Sequence, residues 1–137
     1  YKDGVIAYDS RQTQGSLINT DAADKHKVEE GLHYFFSGAV SDVEEMIACY
    51  RDRDRAARKG TEISAFIVDD GKVMQASISD EHGFWALEAG NPSAIGSGDF
   101  HALTAMDLNC TAKEAVRMAA KRDTGTGGRI RTFKVKS

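Results

Sequence analysis

The 137-residue chain has few of the residues that mark disulfide-bonded and metal-binding proteins. It contains two cysteines, one proline, one tryptophan and four histidines. Cys49 and Cys110 are far apart and lack the spacing of a ligand pair, which favours free, buried thiols in a reducing compartment. The histidines lack the spacing of a metal site or a catalytic triad. We therefore expect a cytoplasmic protein with no metal and no cofactor.

Long apolar runs and an excess of one charge are also missing. No apolar run approaches the ~20 residues of a membrane span, and no charged segment precedes an apolar one as in a signal peptide. The 18 basic and 21 acidic residues are interspersed and give a net charge of −3. This pattern provides no basic stripe for a phosphate backbone. We expect neither a membrane nor a nucleic-acid partner.

The length suits one domain, spanning residues 1–137, that buries its own core. Apolar runs between glycine-bearing turns predict strands, and capping boxes at Ser41–Glu44 and Thr111–Glu114 predict helix starts. The first helix should extend through the charged run 51–59 to Gly60. The predicted strands are 5–10, 32–36, 63–68, 73–79, 84–87, 93–95 and 130–135, and a further helix covers 99–108.

This order of elements predicts an α+β fold with two packed sheets and helices outside. The runs 5–10 and 32–36 are unbroken apolar segments, which is typical of strands covered on both faces. We expect them to be neighbouring inner strands.

A glycine-bracketed serine, Ser97 between Gly96 and Gly98, precedes the helix predicted over 99–108. Glycine permits close approach, and the helix start supplies free N–H groups and a positive dipole end, which suits an anion or oxyanion. Two other interpretations are open. Ser97 is also an ordinary helix N-cap residue, and G-x-G also begins nucleotide-binding turns. No acidic strand end follows at the spacing that nucleotide binding requires.

Five motifs together resemble the proteasome β-subunit and HslV family of N-terminal-nucleophile hydrolases, over nearly the whole chain. Each motif is common alone, but their order and spacing make the resemblance fairly specific. They are Gly4–Arg11 with Asp9, Lys27-Val28, Phe36–Ala39 with Asp42, Gly96-Ser97-Gly98, and Arg122–Gly128 with threonine where the family has serine.

The resemblance implies a threonine peptidase whose N-terminal α-amine acts as its own general base. A nearby ammonium would keep that amine deprotonated, and a carboxylate would compensate the ammonium. A backbone N–H would stabilise the oxyanion, and three side chains would hold the amine and a water. The implied residues are Lys27 as the cation, Asp9 as its carboxylate, Gly38 as the N–H donor, and Ser97, Asp123 and Thr126 as the holders.

Two points are open within this resemblance. Lys25 competes with Lys27 as the site lysine, and Val28 is the reason for preferring Lys27. Tyr1 cannot act as the nucleophile, because it lacks a β-hydroxyl beside an α-amine. The turn at residues 2–4 implies a preceding strand, so we expect an upstream threonine missing from this sequence. The alternative is a catalytically inactive subunit with a structural or assembly role.

The resemblance further implies a four-layer αββα sandwich and a peptide or unfolded protein substrate. It also implies a homo-oligomer, built as a ring or stacked rings, with an ATPase unfoldase as a candidate partner. The chain lacks the family's usual second helix, since Gly60 leads directly into the strand predicted at 63–68. In this respect it is similar to the short proteasome-like proteins of some bacteriophages.

Overall fold

The computed structural model describes residues 1–136, which fall into two compact units. The first unit combines residues 1–25 with the chain from Gly90 onward, and the second unit is residues 26–89. The single domain predicted from the length stays a prediction. In chain order the strands are β1 (Val5–Tyr8), β2 (Gln12–Gln14), β3 (Leu17–Thr20), β4 (His26–Glu29), β5 (Leu32–Gly38), β6 (Ile63–Asp69), β7 (Lys72–Ser79), β8 (Gly83–Glu88) and β9 (Arg131–Lys134). The helices are α1 (Val43–Arg51), α2 (Asp99–Asp107) and α3 (Ala112–Arg122).

The first unit has two antiparallel strand pairs and two helices. β1 pairs with β9, placing Ile6 opposite Phe133, and β2 pairs with β3. α2 and α3 pack together through small buried side chains such as Ala105 and Ala115, with Val5 of β1 against the same cluster. Small residues let two helices approach closely, so this core is formed at the contact between the helices.

The chain enters β1 through a tight turn, as the sequence predicts. Lys2 and Val5 exchange two backbone hydrogen bonds of 3.0 Å. The central residues Asp3 and Gly4 have φ angles of 50° and 79°, as in a type I′ turn. The residues before β1 therefore run antiparallel to it.

The second unit is a five-stranded antiparallel sheet in the order β4-β5-β6-β7-β8, with α1 against one face. The face toward α1 carries the alternate residues Ile63, Ala65 and Ile67, all buried. Met46 and Ile47 of α1 close this core. Period-two alternation on β6 and helical spacing on α1 thus turn both apolar faces toward each other.

The α+β class is confirmed, but the four-layer αββα sandwich is wrong. The described strands form one five-stranded sheet and two two-stranded sheets, with three helices in residues 1–136. The expectation that runs 5–10 and 32–36 are neighbours is also wrong, because β1 pairs with β9 whereas β5 pairs with β4 and β6. Tyr34 and Phe35, on opposite faces of β5, are both buried. An unbroken apolar run indicated burial on both faces, but it did not identify the neighbouring strand.

The first helix differs from its prediction at both ends. A short 3-10 turn, Val40–Asp42, precedes α1, and Asp42 rather than Ser41 is its N-cap. The predicted capping partner Glu44 instead binds Lys27. The helix ends at Arg51, and the following segment contains no helix up to β6. Arg55 and Arg58 of this segment bind the acidic side chains of Glu45 and Asp42, as described below.

Two other local predictions have opposite outcomes. The Thr111 capping box is confirmed, with Glu114 N–H donating to Thr111 Oγ1 at 3.2 Å and Thr111 N–H donating to Glu114 Oε1 at 2.9 Å. The strand predicted at 93–95 is irregular backbone. Ser93 instead exchanges two backbone hydrogen bonds, of 2.8 and 3.0 Å, with Tyr1.

Candidate active site

β1 places a buried carboxylate just beyond its last residue. Asp9 is 9% exposed, and its Oδ1 accepts a hydrogen bond from Lys25 Nζ at 2.6 Å. Its Oδ2 accepts from the Gly127 N–H at 2.9 Å. A carboxylate this far from water needs such donors, because an uncompensated buried charge is strongly unfavourable. Lys25 is therefore the cation that compensates Asp9.

Lys27, the lysine preferred from the sequence, has other partners. Its ammonium binds Glu44 and lies 3.7 Å from Glu29. The hydrogen bond to Glu44, together with these negative charges, raises the pKa of Lys27. The choice of Lys27 as the partner of Asp9 is thus wrong, and its competitor Lys25 occupies that place.

A second carboxylate, Asp123, follows the end of α3. Its Oδ2 accepts from Ser97 Oγ and from Thr126 Oγ1, both at 2.6 Å. Burial raises the pKa of Asp123, but the bonds from Ser97, Thr126 and the Gly125 backbone outweigh burial and lower it below the usual range. Asp123 is therefore ionised at neutral pH. The two hydroxyls donate hydrogen bonds to it and keep lone pairs that can accept from other donors.

The loop around Asp123 has no space for side chains at two glycines. A Cβ at Gly125 would lie 2.6 Å from Ser97 Oγ, and a Cβ at Gly98 would lie 2.8 Å from Thr126 Oγ1. Since real Cβ atoms do not approach this closely, both glycines are required for the hydroxyls to reach Asp123.

Consecutive residues connect the two carboxylates. Thr126 donates its hydroxyl to Asp123, and Gly127 donates its N–H to Asp9. The loop is held in place by Arg11, whose Nη1 donates to the Thr124 carbonyl at 3.1 Å. Lys25, Asp9, Thr126, Asp123 and Ser97 thus form one contiguous polar group in the first unit, which we call the carboxylate cluster.

In the second unit, Gly38 ends β5 with a φ of 128°, in the region that favours glycine. A Cβ there would lie 2.8 Å from the Glu62 carbonyl oxygen and 2.9 Å from Ile63 Cα. Both the backbone conformation and the available space therefore restrict this position to glycine.

The register of β5 determines the direction of the Gly38 N–H. Ala39 N–H donates to the Glu62 carbonyl at 3.3 Å. Because bonded pairs alternate along an antiparallel ladder, Ser37 and Ser64, paired in register, form the preceding bonded pair. The Ser37 carbonyl then points toward β6, and the trans peptide turns the Gly38 N–H away from β6. On that side, β4 pairs with β5 only as far as Phe35.

The structure brings four of the six predicted site residues together in the carboxylate cluster and leaves two outside it. Asp9, Ser97, Asp123 and Thr126 are in the cluster. Lys27 and Gly38 belong to the second unit. Lys25 is the member that the sequence left as the less favoured alternative. The cluster presents one cation, two carboxylates and two hydroxyls. Such a set of groups can bind and orient an ammonium or amine.

Other kinds of site have less support. No group of three or more His, Cys, Asp or Glu side chains that could hold a metal ion occurs among residues 1–136. Within the same residues, every helix is too short or too polar to cross a membrane.

Comparison with solved structures finds similar chains, among them two of BPH from Thiobacillus denitrificans. BPH in complex with epoxomicin matches with a TM-score of 0.68 at 14% identity, over 100% of this chain and 97% of BPH. A second BPH structure matches with a TM-score of 0.66 at 15% identity, over 99% of this chain and 96% of BPH. At these identities the likeness shows a shared fold. No protein-family model and no curated protein matches the chain.

Proposed function

We propose that this protein is a threonine peptidase of the proteasome β-subunit and HslV type, which hydrolyses peptide bonds. The observation that supports this most is the Asp9–Lys25 ion pair and its connection to Asp123. Gly127, which donates to Asp9, directly follows Thr126, which donates to Asp123. A half-buried ammonium with a counter-charge, near two hydroxyls that keep free lone pairs, is what an amine general base requires. In this proposal Lys25 takes the role that the resemblance assigned to Lys27.

The cation would keep the catalytic amine unprotonated. A free α-amine has a pKa near 8, and a neighbouring positive charge lowers it so that the amine accepts a proton at neutral pH. Asp9 holds the Lys25 side chain in place through their 2.6 Å hydrogen bond, and Ser97 and Thr126 can accept hydrogen bonds from the amine. The amine then takes the proton of the threonine hydroxyl, which attacks the peptide carbonyl.

Gly38 is proposed as the oxyanion donor because its N–H is turned away from the sheet. Removal of one such donor typically lowers the rate about 100-fold or more. Any other residue at this position would strike the Glu62 carbonyl.

The proposal requires a mature chain that begins with threonine, because the attacking hydroxyl and the α-amine that takes its proton must belong to the same residue.

The runner-up is a catalytically inactive subunit with a role in assembly, which would keep the fold and lack the terminal threonine. Nucleotide binding at Gly96–Gly98 is disfavoured, because Ser97 contacts the Asp123 carboxylate, which would repel a phosphate. A ring or stacked-ring homo-oligomer and an ATPase unfoldase belong to the proposal as partners expected from the family.

Two lysines provide the decisive test. Purified full-length protein is examined by intact mass for its mature N-terminus and by turnover of a fluorogenic peptide. Lys25→Ala should abolish turnover, while the matched change Lys27→Ala should leave it within about fivefold, because exposed ion pairs contribute little. Circular dichroism is the folding control. A mature terminus without threonine, serine or cysteine, or a wild type without turnover, would favour the inactive subunit. Turnover that survives Lys25→Ala would overturn the role proposed for Lys25.

Epoxomicin, the compound in the BPH complex, supplies a second probe. We expect it to inhibit turnover by this protein and to protect the wild type against thermal unfolding. The same two measurements on Lys25→Ala show whether inhibition and thermal protection depend on the lysine of the proposed site.

A further inference from the structure

Asp42 is a buried carboxylate whose oxygens are both directed at the segment before β6. It is 5% exposed, and its Oδ2 accepts from the Glu62 N–H at 2.9 Å while Oδ1 accepts from Arg58 Nη2 at 2.9 Å. Although Asp42 is the N-cap of α1, its side chain makes no capping bond. The Asp42 side chain therefore binds residues of the 58–62 segment rather than capping the helix.

Glu62 is the residue through which Asp42 reaches Gly38. The Glu62 N–H is bound by Asp42, and its carbonyl accepts from Ala39 N–H at 3.3 Å. The same carbonyl oxygen is the atom that a Cβ at Gly38 would approach to 2.8 Å. The position of this carbonyl thus limits the backbone conformation at Gly38, on which the direction of the Gly38 N–H depends.

We infer that Asp42 is a positioning residue that holds Glu62 and thereby orients the Gly38 N–H for the oxyanion. The inference rests on the proposed function for its catalytic meaning. It assigns to the 52–62 segment, which replaces the second helix expected of the family, the task of keeping the oxyanion donor in place.

Glu45 provides a matched control for this inference. It is 4% exposed, and it also anchors the segment, by accepting from Arg55 Nη2 at 2.8 Å and from the Arg58 N–H at 3.0 Å. Its hydrogen-bond partners are Cys49, Arg55 and Arg58 rather than Glu62. Loss of either carboxylate should loosen the segment, but only loss of Asp42 should release Glu62.

Amide hydrogen exchange, measured by NMR on full-length protein, tests the positioning itself. Asp42→Ala should raise exchange at the Ala39 and Glu62 N–H groups about tenfold or more relative to Glu45→Ala. If Asp42→Ala does not fold, Asp42→Ser replaces it, since serine is a good N-cap but too short to reach Glu62. Equal exchange in the Asp42 and Glu45 variants overturns the inference.

Peptide turnover tests the catalytic meaning. Asp42→Ala should lower kcat about 10- to 100-fold with KM within about threefold, because the oxyanion donor acts in the transition state. Asp42→Asn should restore most of kcat, since its amide oxygen can still accept from Glu62 while the exposed Arg58 side chain moves away. Glu45→Ala should keep kcat within about threefold. A uniform kcat loss in all three variants would overturn the inference.

The two measurements separate this inference from the proposed function. If the wild type shows no turnover, the peptidase fails and the exchange data alone decide whether Asp42 holds the Gly38 corner. If the wild type turns over and exchange at Ala39 does not depend on Asp42, the peptidase stands and the positioning role is lost.

Discussion

The Arg11 guanidinium occupies the space that any side chain at Gly127 would need. A Cβ at Gly127 would lie 2.6 Å from both Nε and Nη2 of Arg11. Asp21 holds the guanidinium there through two hydrogen bonds of 2.9 and 3.1 Å. The β2–β3 hairpin base and the 124–127 loop are thereby interlocked, and the Gly127 N–H stays directed at Asp9.

Gly127→Ala should destabilise the protein by about 1–3 kcal/mol through overpacking against Arg11. Gly127 is not among the positive-φ glycines, so space rather than backbone conformation excludes the methyl group. In an Arg11→Ala background the same change should cost less than about 1 kcal/mol. Urea unfolding of the wild type, the two single variants and the double variant gives the coupling energy as a double-mutant cycle. Equal costs in both backgrounds would show that the two residues are independent.

Asp9→Asn should lower the proposed peptide turnover by about 100-fold or more, because the Lys25 ammonium loses its counter-charge and is left uncompensated in a partly buried site. The amide oxygen of asparagine can still accept from Gly127, so the loop should stay folded. Turnover of a fluorogenic peptide is the assay, with Asp107→Asn on the exposed side of α2 as the control. A variant that keeps wild-type turnover would remove Asp9 from the mechanism.

Ser97→Ala should raise the pKa of Asp123, because it removes one of the hydrogen bonds that stabilise the charged carboxylate. Thr126→Val should act in the same direction. Carbon-detected NMR titration of the Asp123 carboxyl measures the change without any need for activity. An unchanged pKa in both variants would contradict the hydrogen-bond account.

Acid should weaken the protein partly through Glu45. Hydrogen bonds from the Arg55 side chain and the Arg58 N–H lower the pKa of Glu45 to about 2, against 4.5 for an unperturbed glutamate. A lowered folded-state pKa contributes stability above pH 4.5 that is lost as the pH falls toward 2. In Glu45→Gln, stability should therefore fall less steeply over this window than in wild type. Urea unfolding at several pH values measures the stability of both proteins. An equal dependence of stability on pH in wild type and Glu45→Gln would contradict this role of Glu45.

Thr111→Ala should cost about 1 kcal/mol, because it removes the hydroxyl that accepts from the N3 backbone of α3. Turnover should be unaffected once the protein is folded. Thermal unfolding measures the loss, and Thr104→Ala on the exposed side of α2 serves as a comparison. A loss no larger than that of Thr104→Ala would mean that the box contributes nothing.

Local sequence rules predicted elements whose hydrogen bonds are satisfied locally. The Thr111 box uses groups three residues apart, and the Asp70-Gly71 turn joins β6 and β7 through two positive-φ residues. The similar box at Ser41 failed because distant residues competed for its members. Lys27 binds Glu44, and Arg58 with the Glu62 backbone binds Asp42.

The carboxylate cluster could be predicted by residue type but not by partner. Ser97, Asp123 and Thr126 stand out beside glycines, which leave room for hydroxyl contacts, and Asp9 stands out at the end of an apolar run. Which lysine reaches Asp9 depends on where β4 begins. Lys25 precedes the strand and turns to Asp9, whereas Lys27 lies within β4 and shares its face with Glu29. Which strands pair with each other likewise depends on contacts between residues distant in the sequence, and an apolar run does not specify these contacts.

The first unit is assembled from both ends of the chain, which determines when the carboxylate cluster can form during synthesis. The second unit is one continuous segment with mostly local antiparallel pairing, which favours early folding on the ribosome. β1 must wait for β9, and Asp9 must wait for Gly127. A growing chain therefore cannot complete the carboxylate cluster until the 123–127 loop has emerged.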